Sequence, residues 1–172
     1  MEQVLGQNGT SIWRKAHGID PSPVIAFNER KSISTERTFA KDTTDVEKLR
    51  GILVAMTENL AYQLRRGHKL TACVAVKIRY ADFDTRSLQA RIPYTSSDHV
   101  LIPKVKALFE QLYNRRVQVR LIGVRYSHLV EGGFQMDLFD DADERLELYR
   151  ALDRIRNQYG DRSVVTAAGM EA

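Results

Sequence analysis

Cations and neutral hydrogen-bonding residues alternate with apolar ones in three stretches of this chain. The cations are Lys77 and Arg79 in LTACVAVKIRY (70–80), Arg91 in RSLQARIPY (86–94) and Arg120 in RVQVRLIGVRYSHL (116–129). Ser87, Gln89 and Gln118 share their phase. A period of two places such residues on one face of a strand. Lys and Arg beside neutral donors suit a phosphate backbone, the cations supplying charge and the neutral groups additional hydrogen bonds. No aromatic row accompanies them, so stacking on single-stranded bases is not favoured. The expected ligand is the backbone of a duplex, gripped with little regard to sequence. A solvated sheet face would carry the same residue types.

Other chemistry finds less support. His17, His68, His99 and His128 are scattered without metal-ligand spacing, and Cys73 is the single cysteine. The acidic run DDADE (140–144) could suggest a two-metal site, but it opens a predicted helix, where acids also favour the helix dipole. No glycine-rich phosphate loop and no nucleophile elbow is present. The sequence therefore offers no catalytic residue, no metal site and no cofactor site.

The charge is unevenly distributed. Residues 1–134 hold 21 Lys/Arg against 13 Asp/Glu, and residues 135–172 hold 5 against 9. A basic body with an acidic tail suits a polyanionic partner for the body. No apolar run is long enough to span a bilayer and no signal-peptide pattern opens the chain, so the expectation is a cytoplasmic protein with no membrane contact. Its 172 residues, 43% hydrophobic, suit one domain with appendages.

The elements that must position the cations read as follows. Residues 9–20 form a short helix, capped by Thr10 or Ser11 and ended by Gly18. Two prolines, Pro21 and Pro23, make the next stretch a linker, with a domain boundary near Ser32. Residues 32–40 are a strand anchored by Phe39. Residues 44–66 are a helix with a Thr44/Glu47 capping box, a stripe at Val46, Leu49, Leu53, Met56, Leu60 and Leu64, and a stop at Gly67. Two strands, 70–80 and 86–94, flank a hairpin connection at ADFDT. A second helix covers 98–113 with Pro103 in its first turn. The last strand, 116–129, turns Val117, Val119 and Leu121 inward and Gln118 and Arg120 outward. A third helix, 143–159, carries Leu148 or Tyr149, Leu152, Ile155 and Tyr159 as its packing stripe; SVVTAAG then reads as a short strand. The class is α+β: β-α-β-β-α-β, a four-stranded sheet with two helices on one face and a C-terminal tail helix.

Several of these stretches resemble a known family. LGQNGTSIWRKAHGID, RKSISTERTF, VAVKIRYADFDTRS, VRLIGVRYSHL and LYRALDRIRNQYG are similar to the C-terminal part of Y-family translesion DNA polymerases, the DinB (DNA polymerase IV-like) branch of the impB/mucB/samB family. The resemblance implies the end of the thumb at 1–20, a linker at 21–31, a little finger domain at 32–130, a clamp-binding segment at 131–141 and a tail helix at 142–172. It also implies a grip on primer-template DNA by Arg30, Lys31, Ser32, Ser34 and Thr38, beside Lys77, Arg79, Arg91 and Arg120. The family's catalytic carboxylates, in an Asp-bearing strand and an S-x-D-E motif, have no counterpart here. The chain alone is thus expected to bind DNA without polymerising, and magnesium is expected only for a full-length parent.

QMDLF (135–139) resembles the pentapeptide by which such proteins bind the bacterial sliding clamp. That likeness implies clamp binding by Gln135, Met136, Leu138 and Phe139, with Leu138 and Phe139 in a hydrophobic pocket of the clamp and Gln135 at its rim; few buried anchors can carry a small interface. The alternative is that Leu138 and Phe139 lie under the third helix. Two rival functions remain at this stage: a protein-interaction module with an incidental basic sheet, and a sequence-specific DNA-binding regulator.

Overall fold

The computed structural model describes residues 2–25, 30–132, 142–161 and 163–170. In chain order the elements are α1 (Glu2–Ala16), β1 (Ser32–Thr43), α2 (Val46–Arg66), β2 (Lys69–Tyr80), β3 (Thr85–Thr95), α3 (Asp98–Leu112), β4 (Val119–Glu131) and α4 (Ala142–Tyr159). A 3₁₀ turn, Ala167–Gly169, follows α4 where the sequence suggested a strand. The sheet runs β1-β4-β2-β3, every pair antiparallel. This is the α+β, β-α-β-β-α-β arrangement expected from the sequence.

Alternating residues of each strand supply the core. Ile33, Tyr126, Val74 and Ala90 form one row across the sheet, and Thr35, Val124, Val76 and Leu88 the next. Val74, Val76, Ile78, Ile122, Val124 and Tyr126 are buried against Leu49, Leu53, Leu60 and Leu64 of α2 and Leu101, Val105 and Phe109 of α3. Burying a Leu- or Ile-sized side chain contributes roughly 1.5–3 kcal/mol, so this single two-layer core dominates stability. Pro93 sits in edge strand β3, beside the register shift between Thr71 and Cys73, where a missing N–H costs least.

The termini of the elements correct the sequence reading. Asp45, not Thr44, caps α2: its Oδ1 accepts from Lys48 N at 3.1 Å. Gly67 ends α2 at φ −89°, and the left-handed residue is the next one, His68, at φ 49°. α3 starts at Asp98 as expected, after an extended Ser97, but Pro103 is its sixth residue and so stands in the second turn rather than the first. α1 begins earlier than its capping residues suggested, breaks at Gly6 and closes at Gly18 (φ 75°), where Ile19 N reaches Arg14 O at 2.9 Å.

α4 adds a third layer, and by an unexpected face. Of the predicted stripe, Tyr149 rather than Leu148 is buried and Leu152 is half-buried, but Ile155 and Tyr159 are exposed; Leu146 and Arg156 are buried instead. Its inner contacts are polar. Arg65 of α2 donates to both carboxylate oxygens of Asp153 (2.7 and 2.9 Å) and to Asp98 (3.2 Å), with its guanidinium over the Tyr149 ring. Tyr62 Oη donates to Asn157 at 2.7 Å, and the Tyr149 hydroxyl accepts from His99 N at 3.1 Å. Burial pushes the Asp98 carboxyl up to about 6 although Arg65 opposes the shift. Beyond α4 the chain doubles back: Arg156 donates to Val164 O at 3.0 Å, and Ala168 O passes over Gly51 of α2, where a Cβ would approach to 3.3 Å.

Candidate nucleic-acid interface

The sheet face away from the helices is organised as four rows, each crossing β1, β4, β2 and β3 in turn. They are Ser32–Ser127–Cys73–Arg91, Ser34–Arg125–Ala75–Gln89, Glu36–Gly123–Lys77–Ser87 and Thr38–Leu121–Arg79–Thr85. The pleat gives every member of these rows the same face. Six residues singled out from sequence or resemblance, Ser32, Ser34, Thr38, Lys77, Arg79 and Arg91, are thereby brought together. Arg30 and Lys31 join them from the lead-in to β1, lining a groove of about 750 Å³ with Lys77, Arg125, His128, Ser87 and Gln89.

Arg120 does not belong to a row. β4 pairs Leu121 with Arg79 but Val119 with Tyr80, so Arg120 is the extra residue of a bulge. Its guanidinium lies 4.8 Å over the Phe83 ring and 3.8 Å from Asp42 Oδ1. The same bulge reverses the phase of the strand. Leu121, expected inward, lies opposite Arg79 on the open face, and Arg125 becomes the outward cation of β4. Counting the alternation from Ile122, Val124 and Tyr126 rather than from Val119 would have found Arg125. His128, at φ 54°, had no signal in the sequence pattern.

The cations on this face are held in different ways. Arg125 is exposed and donates to Ser32 Oγ at 3.2 Å. Arg79 Nε donates to Thr85 Oγ1 at 2.8 Å. Lys77 lies 3.0 Å from Glu36 Oε1 in the same row. Gly123 stands between those two, and a Cβ there would meet Glu36 Cγ at 2.6 Å, so the bridge crosses β4 through the space a side chain would fill. Glu36 lines the groove as well, an acid among cations that the sequence reading had not singled out.

Gln135, Met136, Leu138 and Phe139 lie outside the described residues. Among the described residues, no group of three or more His, Cys, Asp or Glu could hold a metal ion, and no helix is long and apolar enough to cross a membrane.

Comparison with known proteins gives one family. Residues 30–138 match the impB/mucB/samB family C-terminal domain. The DNA polymerase IV of Clostridium acetobutylicum is 36% identical over 169 residues, 95% of this chain and 42% of that protein. The DNA polymerase IV of a Dehalococcoides mccartyi strain is 35% identical over 169 residues, 96% of this chain and 43% of that protein. The chain thus spans less than half the length of these relatives. A solved complex of β-clamp processivity factor and the little finger domain of PolIV is similar at a TM-score of 0.48 and 20% identity, covering 64% of this chain and 98% of that one.

Proposed function

The chain belongs to the impB/mucB/samB family, whose C-terminal domain it carries, and from that premise we propose that its open sheet face grips the backbone of primer-template DNA for a translesion polymerase. The observation that carries the reading is the groove in which Arg30, Lys31, Lys77 and Arg125 gather with neutral donors from Ser87 and Gln89. The paired strands fix the spacing of these donors along the groove. Ser and Thr hydroxyls and the Gln amide can donate to phosphate oxygens whatever the bases, which suits a surface that must accept any sequence.

In this proposal the longer parent adds nucleotides opposite damaged template in the bacterial cytoplasm, and magnesium belongs to that parent. The present chain supplies position and hold, not chemistry. QMDLF tethers the assembly to the sliding clamp, a reading supported by the pentapeptide resemblance alone.

Duplex titration at several salt concentrations tests the grip. Affinity should fall steeply with salt, by a log–log slope of about 0.9 per neutralised phosphate, and Arg125→Ala should flatten that slope by about one contact. A chain with no salt-dependent duplex affinity would overturn the reading. For the tether, Leu138→Ala with Phe139→Ala should abolish binding to a sliding clamp and leave duplex affinity unchanged. Undiminished clamp binding by that double variant would remove the pentapeptide from the interface.

A further inference from the structure

Phe83 stands at the tip of the β2–β3 connection, 64% exposed. Its backbone is left-handed, φ 65°, a conformation Gly or Asn adopts easily and a bulky side chain rarely does. The rest of the hairpin is firmly tied. Tyr80 N donates to Asp84 O at 2.9 Å and Phe83 N to Tyr80 O at 3.0 Å. Arg115 bridges Asp82 and Asp84 at 2.9 and 2.8 Å. A strained, exposed aromatic on a tied loop contributes little to the core. Strain of that kind gathers at sites where a ligand is met.

The ring is already half of a stack. The Arg120 guanidinium lies 4.8 Å from its centroid, and the phenyl remains largely open to solvent. Thr85, two residues further on, lines the cationic groove and accepts the hydrogen bond from Arg79. The platform therefore stands at the end of the surface proposed to hold the duplex. Asp82 and Asp84 beside it are already paired with Arg115, and Asp84 with Arg86 as well, so the charges of the loop are committed to one another. A neutral π-face is the ligand that fits, and a base paired and stacked inside a duplex does not offer one. An unpaired base next to the duplex does.

We propose that Phe83, backed by Arg120, is a stacking platform for an unpaired nucleobase at the end of the gripped duplex. The proposal rests on the backbone-grip reading for its location, but the two separate in one experiment. A blunt duplex and the same duplex with a short single-stranded extension bearing 2-aminopurine are titrated with the chain and with F83A, F83L and F83W. The extension should raise affinity about tenfold, the worth of one stacked base, and quench the 2-aminopurine fluorescence. F83A and F83L should erase both effects while leaving blunt-duplex affinity and its salt slope intact; F83W should restore them. Leucine keeps the apolar bulk without the π-face, so rescue by Trp alone excludes a merely structural role. Gain or quenching that persists in F83A, equal rescue by F83L, or no gain in the unaltered chain would overturn the platform while leaving the grip standing. Gain through Phe83 without blunt-duplex affinity would do the reverse.

Discussion

Arg65 and Arg125 are both arginines in strongly polar surroundings, and their situations are opposite. Arg65 lies between α2, α3 and α4 with its side chain 5% exposed, hydrogen-bonded to Asp153, Asp98 and Ser96 O. Arg125 faces solvent on the sheet and, among the described residues, donates to a neutral hydroxyl, Ser32 Oγ, at 3.2 Å. Taking a guanidinium out of water is costly unless acids and carbonyls replace the water. Arg65 has that replacement and holds an element in place. Arg125 keeps its hydration and most of its field, which is what attracting a polyanion requires. Charge alone does not tell a structural arginine from a binding one; the number of acids already committed to it does.

The sharpest way to break this comparison is to truncate both. Arg65→Ala leaves Asp98 and Asp153 buried without their cation and should destabilise the fold by about 3–5 kcal/mol in denaturant unfolding. Arg125→Ala should change stability by less than about 0.5 kcal/mol. Duplex affinity, measured where Arg65→Ala remains folded, should respond the other way round. A small stability loss at Arg65 would mean that α4 is not held by its polar contacts.

Acidity sharpens the same point. Burial raises Asp98 from an ordinary 3.8 to about 6. A carboxyl whose folded value lies above its unfolded one stabilises the fold fully below pH 3.8 and loses that contribution as pH rises through 6. The lost contribution is up to about 3 kcal/mol, from roughly two units at 1.36 kcal/mol each. Asp98→Asn keeps an acceptor for Arg65 and cannot ionise, so its stability should be flatter between pH 4 and 6 than that of the unaltered chain. Parallel pH profiles would show that Asp98 is not buried as a charge.

Those two arginines also mark where the sequence was legible. Strict alternation in β2 and β3 was enough to place Lys77, Arg79 and Arg91, because a period-two pattern fixes the face so long as the ladder is unbroken. β4 breaks its ladder at Arg120, so a pattern counted from Val119 carried the wrong phase into Leu121 and could not see Arg125. α4 failed for a different reason. Ile155 and Tyr159 continue the helical spacing of Tyr149 and Leu152, and apolar spacing is the usual sign of a buried stripe, but only the first half of that stripe packs. Yet the face that packs is the one with Tyr149, Asp153 and Arg156, because α2 offers it Arg65, Tyr62 and Glu58 rather than an apolar surface. Periodicity along one helix holds no information about the polarity of its neighbour.

Glu36 gives the finest test, because it sits at the boundary between the two kinds of arrangement. It pairs with Lys77 at 3.0 Å, as Asp153 does with Arg65, but both side chains are about a third or more exposed. Such a pair contributes about 0–1 kcal/mol to stability. Its larger effect is on the groove, where it neutralises one cation and adds a negative charge facing the proposed phosphates. Glu36→Gln removes that charge and releases Lys77. Duplex affinity should rise roughly two- to fivefold, the equivalent of about 0.5–1 kcal/mol. The gain should shrink as salt is added, because it is electrostatic and exposed. Stability should barely move. If affinity instead stays level while stability falls, Lys77 belongs with Arg65 as a structural cation, and the duplex-facing set contracts toward Arg30, Lys31 and Arg125.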